Sequence, residues 1–125
     1  MSSLIAIPGS IEKPTCVRLT TTGITDIFTA VDNLSTVINI LIVNETAGAV
    51  DVLIDWFDGT TNNHIDAITF TAAKGSKSPP LDVPIRLLTG HKIKATASVA
   101  NQITVSVIAT RTSRNIASNN PAAQA

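Results

Sequence analysis

The 125-residue chain contains one cysteine, no tyrosine, one tryptophan and three phenylalanines, and its net charge is zero. Each scarcity excludes something. A single Cys16 rules out a disulfide framework within one chain and a cysteine-based zinc site. At 3% aromatic residues, the chain lacks the exposed Tyr and Trp on which sugar-binding modules and antibody-like paratopes rely. Charged residues make up only 14% and balance in sign, which argues against a disordered tail or a protein that coats nucleic acid. No apolar run approaches the ~18 residues of a membrane span. The opening stretch has no basic region, and Pro8 stops its apolar residues, so it does not read as a secretory leader. There is no G-x-S-x-G, P-loop or H-E-x-x-H motif. No nucleophile–base pair can be named, so the expectation is a non-enzyme with no cofactor and no small-molecule substrate.

What the chain has in quantity is β-branched residues: 16 Ile, 10 Val and 17 Thr. Their stiff side chains favour the pleated backbone of a strand. Strand-like runs occupy residues 16–21, 27–31, 36–44, 50–57, 64–70, 85–88, 91–98 and 103–111, cut by turn chemistry such as Asp58-Gly59 and Thr89-Gly90. In the first run Val17 and Leu19 share a face; in the fourth, Val52, Ile54 and Trp56 do, which places Trp56 in the core. Ile68 and Phe70 point inward on the same reasoning. The run 36–44 is apolar on both faces, as expected of a central strand covered twice. Residues 73–77 and Pro79-Pro80 read as loop and extended chain. No segment has a sustained helical period. About eight strands at spacings of ~8–12 residues predict an all-β fold, an antiparallel β-sandwich of jelly-roll or Ig-like type.

The expected organisation is an N-terminal arm (1–15), one sandwich domain (16–111) and a polar C-terminal tail (112–125). The arm is broken by Pro8, Gly9 and Pro14, yet Leu4, Ile5, Ile7 and Ile11 are too apolar for a solvated tail. Those four residues are therefore interface candidates.

Charge is segregated along the chain. Residues 19–73 hold seven acids and no Lys or Arg; residues 74–125 hold seven bases and one acid. The halves either pair within the chain, across strands, or present complementary surfaces to other copies. The scattered bases lack the clustering expected for nucleic acid.

Among chemistry-bearing residues, Asp55, Asp58, Asn62, Asn63, His64 and Asp66 form the densest polar group. Asp55, Asp58 and Asn62 are weak candidates for Ca²⁺, which takes carboxylate and carbonyl oxygens, although Asp, Gly and Asn are also what a turn demands. Cys16 reads as a small buried residue of the first strand. His64 and His91 read as turn or strand-edge residues.

The order of features in 17–111 resembles small β-sandwich structural proteins of tailed bacteriophages. The carriers are Leu19-Thr20-Thr21-Thr22-Gly23 leading to Ile27-Phe28-Thr29-Ala30, the Asn44-Glu45-Thr46 strand end, the Lys74-Gly75-Ser76 loop, the corner Leu88-Thr89-Gly90-His91-Lys92-Ile93, and the closing Ile103-Thr104-Val105-Ser106-Val107 strand. The resemblance implies a virion protein made in the bacterial host cytoplasm and no catalytic residues. It points first to a capsid decoration or cement subunit, often a trimer, that binds the major capsid protein between capsomers. A head–tail connector or tail accessory subunit is the alternative within the same group. A Ca²⁺- or carbohydrate-binding module is the alternative of another class. The acidic residue usual after the corner glycine is replaced by His91-Lys92, which adds these two to the interface candidates. No nucleic-acid or membrane partner is expected.

Overall fold

The computed structural model describes residues 10–71, 74–78, 81 and 84–111. The expected tail 112–125, the arm residues Leu4, Ile5 and Ile7, the side chain of Ile11 and the Pro79-Pro80 segment lie outside the described residues. Ten strands and no helix occur among the described residues: β1 Ser10–Ile11, β2 Thr15–Leu19, β3 Thr25–Thr29, β4 Ser35–Asn44, β5 Val50–Phe57, β6 Asn62–Phe70, β7 Gly75–Lys77, β8 Ile85–Leu87, β9 Lys92–Ala97 and β10 Ile103–Arg111.

They form two antiparallel sheets. In one, β10 and β4 are central; β1 and β2 pair with successive parts of β10, and β7 and β8 pair with opposite ends of β4. The other runs β3-β9-β5-β6. Treating β7 and β8 as two halves of one edge position, the orders 2-10-4-(7,8) and 3-9-5-6 are those of a jelly roll, two Greek keys folded together. The all-β antiparallel sandwich expected from the sequence is thus the fold, in its jelly-roll form.

The core lies between the sheets, and strict alternation builds it. Ile103, Val105, Val107 and Ala109 of β10 are buried against Val50, Val52 and Ile54 of β5 and Ile93, Ala95 and Ala97 of β9. Ile68 and Phe70 are buried as expected, and Trp56 packs partly buried against this core. The two edge pieces missed in the sequence, β1 and β7, have two and three residues, too short to show a period.

Two expectations need correction. Cys16 is exposed. Val17 and Leu19 turn inward, so the pleat sends Cys16 and Arg18 out, where the Ser106 hydroxyl donates to the Cys16 sulfur at 3.2 Å. Among the described residues strand β4 is covered on one face, not two. Its register slips against β10, where Ile108 pairs with Asn39 but Ala109 with Val37, leaving Ile38 as an extra residue. This β-bulge puts Ile38 and Asn39 both outside. Val37, Ile40 and Ile42 face the core, while Ile38 and Leu41 stay exposed at 41% and 37%. The apolar residues on both faces of the sequence are therefore a bulge plus an outer face that leaves Ile38 and Leu41 exposed.

Candidate functional site

Among the described residues the chemistry-bearing side chains lie on two outer faces and one rim. The outer face of the four-stranded sheet carries a row of charge across all four strands. By register, His64 of β6 is opposite Asp55 of β5, Asp55 is opposite Lys94 of β9, and Lys94 is opposite Asp26 of β3. Asp55 is only 3% exposed and its Oδ1 is bonded to Nδ1 of the exposed His64. Lys94 lies 4.4 Å from the Phe57 ring centroid and 3.6 Å from Asp26 Oδ1, so its charge meets both an aromatic face and a carboxylate. Lys92 Nζ donates to Asp26 Oδ2 at 2.8 Å. That bond, helped by the nearby Lys94 charge, holds the Asp26 carboxyl below its usual value.

This row resolves the charge segregation seen along the sequence. The basic strand β9 is inserted between the acidic strands β3 and β5. Arg111 of the basic half pairs with Asp32 of the acidic half, while Arg18, which precedes both, pairs with Glu45 at 2.7 Å. Acidic and basic halves therefore meet within one chain, because jelly-roll connections interleave strands that are distant in sequence. Segregation along the chain does not carry an argument for assembly.

The rim is formed by the β3–β4, β5–β6 and β8–β9 connections. Gly90 has φ of +86°, a left-handed conformation that glycine adopts without penalty. The turn it makes lets the amide of Gly90 donate to the Ala30 carbonyl, and the amide of Ala30 to the His91 carbonyl. His91 is thereby fixed over the core edge, and the Trp56 Nε1–H donates to its Nδ1 at 3.1 Å. Asn33 completes the rim: its Oδ1 accepts from the Thr89 amide at 2.8 Å, and its carbonyl accepts from the Arg86 guanidinium.

The Ca²⁺ candidates separate into unrelated local roles. Asp58 caps its own turn, its Oδ1 accepting from the amides of Thr60 at 3.0 Å and Thr61 at 2.8 Å and its Oδ2 from Asn63. These donors, the Thr61 amide first, hold its carboxyl below the usual value. Asp55 faces His64 instead, Asp66 accepts from the Ala67 amide, and Asn62 is an exposed residue paired in register with Phe57. Among the described residues no group of three or more His, Cys, Asp or Glu could hold a metal ion. Of the interface candidates, His91 is held by Trp56 and Lys92 by Asp26; Ser10–Ile11 forms β1 beside Thr110 and Arg111.

The outer face of the six-stranded sheet differs in character. By register Arg18, Thr104 and Val43 form one outward row and Arg86, Thr36 and Thr110 another, and between these rows the residues turned outward are Cys16, Ser106, Leu41, Ile38, Asn39 and Ile108. None of them is charged. Sequence reading missed this face because the bulge hides the parity of β4. It also missed the row across the other sheet, which appears only when strand register is known.

No family model matches the chain, and no curated protein matches it. Two solved structures similar to it are phage capsid proteins. One is a pentameric capsid protein isolated from metagenomic phage sequences and solved by iodide SAD phasing. It is 22% identical, with a TM-score of 0.45, over 78% of this chain and 63% of that chain. A second, also a pentameric capsid protein from metagenomic phage sequences, is 25% identical with a TM-score of 0.42, over 78% of this chain and 59% of that one. The chain covers about three fifths of the length of these two proteins.

Proposed function

We propose that this chain is a non-enzymatic structural subunit of a tailed-phage virion, acting as a homo-oligomeric capsid decoration or cement protein. The observation that carries the reading is a jelly roll whose larger sheet turns outward a face with an uncharged, partly apolar middle. Viral capsid domains use this architecture, as do lectins and cupins. Fold alone does not fix function. The second support is therefore chemical. Asp58 is engaged in capping its own turn and Lys92 in pairing with Asp26, and the rim Trp56 is bound to His91 rather than offered to a sugar. The third is the sequence resemblance spanning residues 17–111, whose corner Leu88-Thr89-Gly90-His91-Lys92-Ile93 forms the rim turn.

In this reading the subunit is made in the host cytoplasm and acts on the particle. It strengthens the shell by burying area at capsomer junctions on the major capsid protein, and a trimer is the assembly that the resemblance suggests. The segment with Leu4, Ile5 and Ile7 adds contact area without enlarging the core. Its test is deletion of residues 1–9, which spares β1 and the Glu12 amide bond to the Ala109 carbonyl. The shortened protein should fold with unchanged cooperativity and lose binding to purified shells. Unimpaired binding removes the arm from the account.

A further inference from the structure

We infer that Asp66 and Lys77 close the free edge of β6 against strand pairing with the β6 of a second copy.

Among the described residues, β6 is the one long strand at the edge of a sheet. It has nine residues, whereas the other edge strands β1, β2, β3, β7 and β8 have five or fewer. It pairs with β5 along one side and ends its sheet on the other. Its last residues, Ala67-Ile68-Thr69-Phe70, run into Thr71 without charge or proline, a composition that invites pairing with another chain. A two-fold axis at such an edge would join β6 to β6 antiparallel and merge two four-stranded sheets into one.

Three features stand in the way. First, the ladder slips between Ile54 and Asp55, which pair with Asp66 and His64 and leave Ile65 as an extra residue. This bulge bends the first part of β6 away from the line of the second, so a straight partner cannot follow both. Second, the Ala67 amide donates to Asp66 Oδ1 at 2.8 Å. Third, Lys77 Nζ donates to the Thr69 carbonyl at 2.6 Å and stands 5.3 Å from the centroid of the Phe70 ring. Lys77 belongs to β7 of the other sheet, so its side chain reaches from one sheet to the edge of the other.

The two bonds fall on the same side of the strand. In an antiparallel strand the N–H and C=O of one residue point to one side, and alternate residues share that side. Ala67 and Thr69 are two residues apart, and neither bond goes to β5, so both turn their backbone groups to the free edge. Thr69 is opposite Asp51, and its hydroxyl donates to the Asp51 carboxylate at 2.9 Å. Side chains come this close in a pair that does not exchange backbone bonds. An incoming strand would seek two bonds at each of Ala67 and Thr69 and find one already taken at each. It would also have to bury or displace the Lys77 ammonium.

The experiment is sedimentation velocity of the full chain over a micromolar concentration series, comparing native protein with the double variant Asp66→Ala, Lys77→Met and with Lys77→Arg. A freed hydrogen bond is worth roughly five-fold in an association constant. The double variant frees at least two, so it should associate at least about 25-fold more strongly than the native chain. Lys77→Arg keeps a donor and should match native protein. Should the double variant not fold, Lys77→Met alone, at an exposed position, should still gain roughly five-fold. Ala67→Pro, added to the double variant, removes the edge amide but no bond to β5, and should return association to the native level. Hydrogen exchange locates the contact independently: the Ala67 and Thr69 amides should become protected in the associated variant. Association no stronger than native, association indifferent to Ala67→Pro in a folded protein, or protection gained elsewhere than on β6 overturns the proposal. Each readout is a change from the native chain, so none depends on the oligomer that chain forms or on shell binding, which the deletion of residues 1–9 tests separately.

Discussion

Adjacent residues of β4 offer the sharpest test of the bulged register. Leu41 and Ile42 are isomeric side chains one residue apart, yet Ile42 is fully buried and Leu41 is 37% exposed. Truncating Ile42 to alanine removes three buried carbons at about 0.8 kcal/mol each, and the cavity left behind adds to that. The expected loss is about 3 kcal/mol, within the ~2–5 kcal/mol range of such substitutions. At Leu41 the same truncation leaves no enclosed cavity, because solvent reaches the site, and the loss should be about 1 kcal/mol or less. For a domain of this size the difference corresponds to roughly 6–12 °C in Tm. Urea unfolding followed by circular dichroism, at a concentration low enough to keep the chain monomeric, measures both. The urea m-value should stay constant, since both variants expose the same surface on unfolding. Equal losses at the two positions would refute the assigned parity of β4, and with it the bulge at Ile38 and the exposed outer face.

Three further outcomes follow from the site geometry. The Asp26 carboxyl is held below its usual value by Lys92 and Lys94, so its contribution is present above the unfolded value and disappears as pH falls through the lower, folded value, below about pH 4. Because Asp26 is about half exposed, Asp26→Asn should cost under about 1 kcal/mol at pH 7 and nothing once the native carboxyl is protonated; stability-versus-pH curves of the two proteins that stay parallel through acid would contradict this. His91→Ala removes the acceptor of the Trp56 indole N–H and should destabilise the domain by about 1 kcal/mol with a shift in Trp56 emission; unchanged emission would detach Trp56 from the rim. Cys16, exposed on its strand, should react with a thiol reagent in dilute native protein at nearly the rate of the unfolded chain, and a rate set by unfolding would return it to the core.

Regular alternation made much of this fold legible. Strands β5 and β10 run over the residues that the sequence marks, because inward Val52 and Ile54, and Val105 and Val107, alternate with outward neighbours. Where alternation breaks, the sequence misleads: the extra Ile38 shifts the phase of β4, so two faces look equally apolar. Cys16 was legible in principle, since it has the parity of Arg18, but cysteine composition favoured burial. The short pieces β1 and β7 owe their strand form to hydrogen bonds from β10 and β4, and no local pattern announces that. The charged row required topology: Asp26 and Lys92 are 66 residues apart and meet only because β9 lies beside β3. Likewise, Asp58 and Asn62 looked like cation ligands because the residues that cap a turn are also those that coordinate cations.

The central claim is that the chain is a structural part of a virion, and its copy number in purified particles tests it most directly. On this account, quantitative mass spectrometry of the purified phage particles should find the chain tightly retained through density-gradient purification. A decoration subunit should be present in numbers comparable to the major capsid protein. About six or twelve copies per particle would move the role to the head–tail junction. Absence of the chain from purified particles would contradict the account.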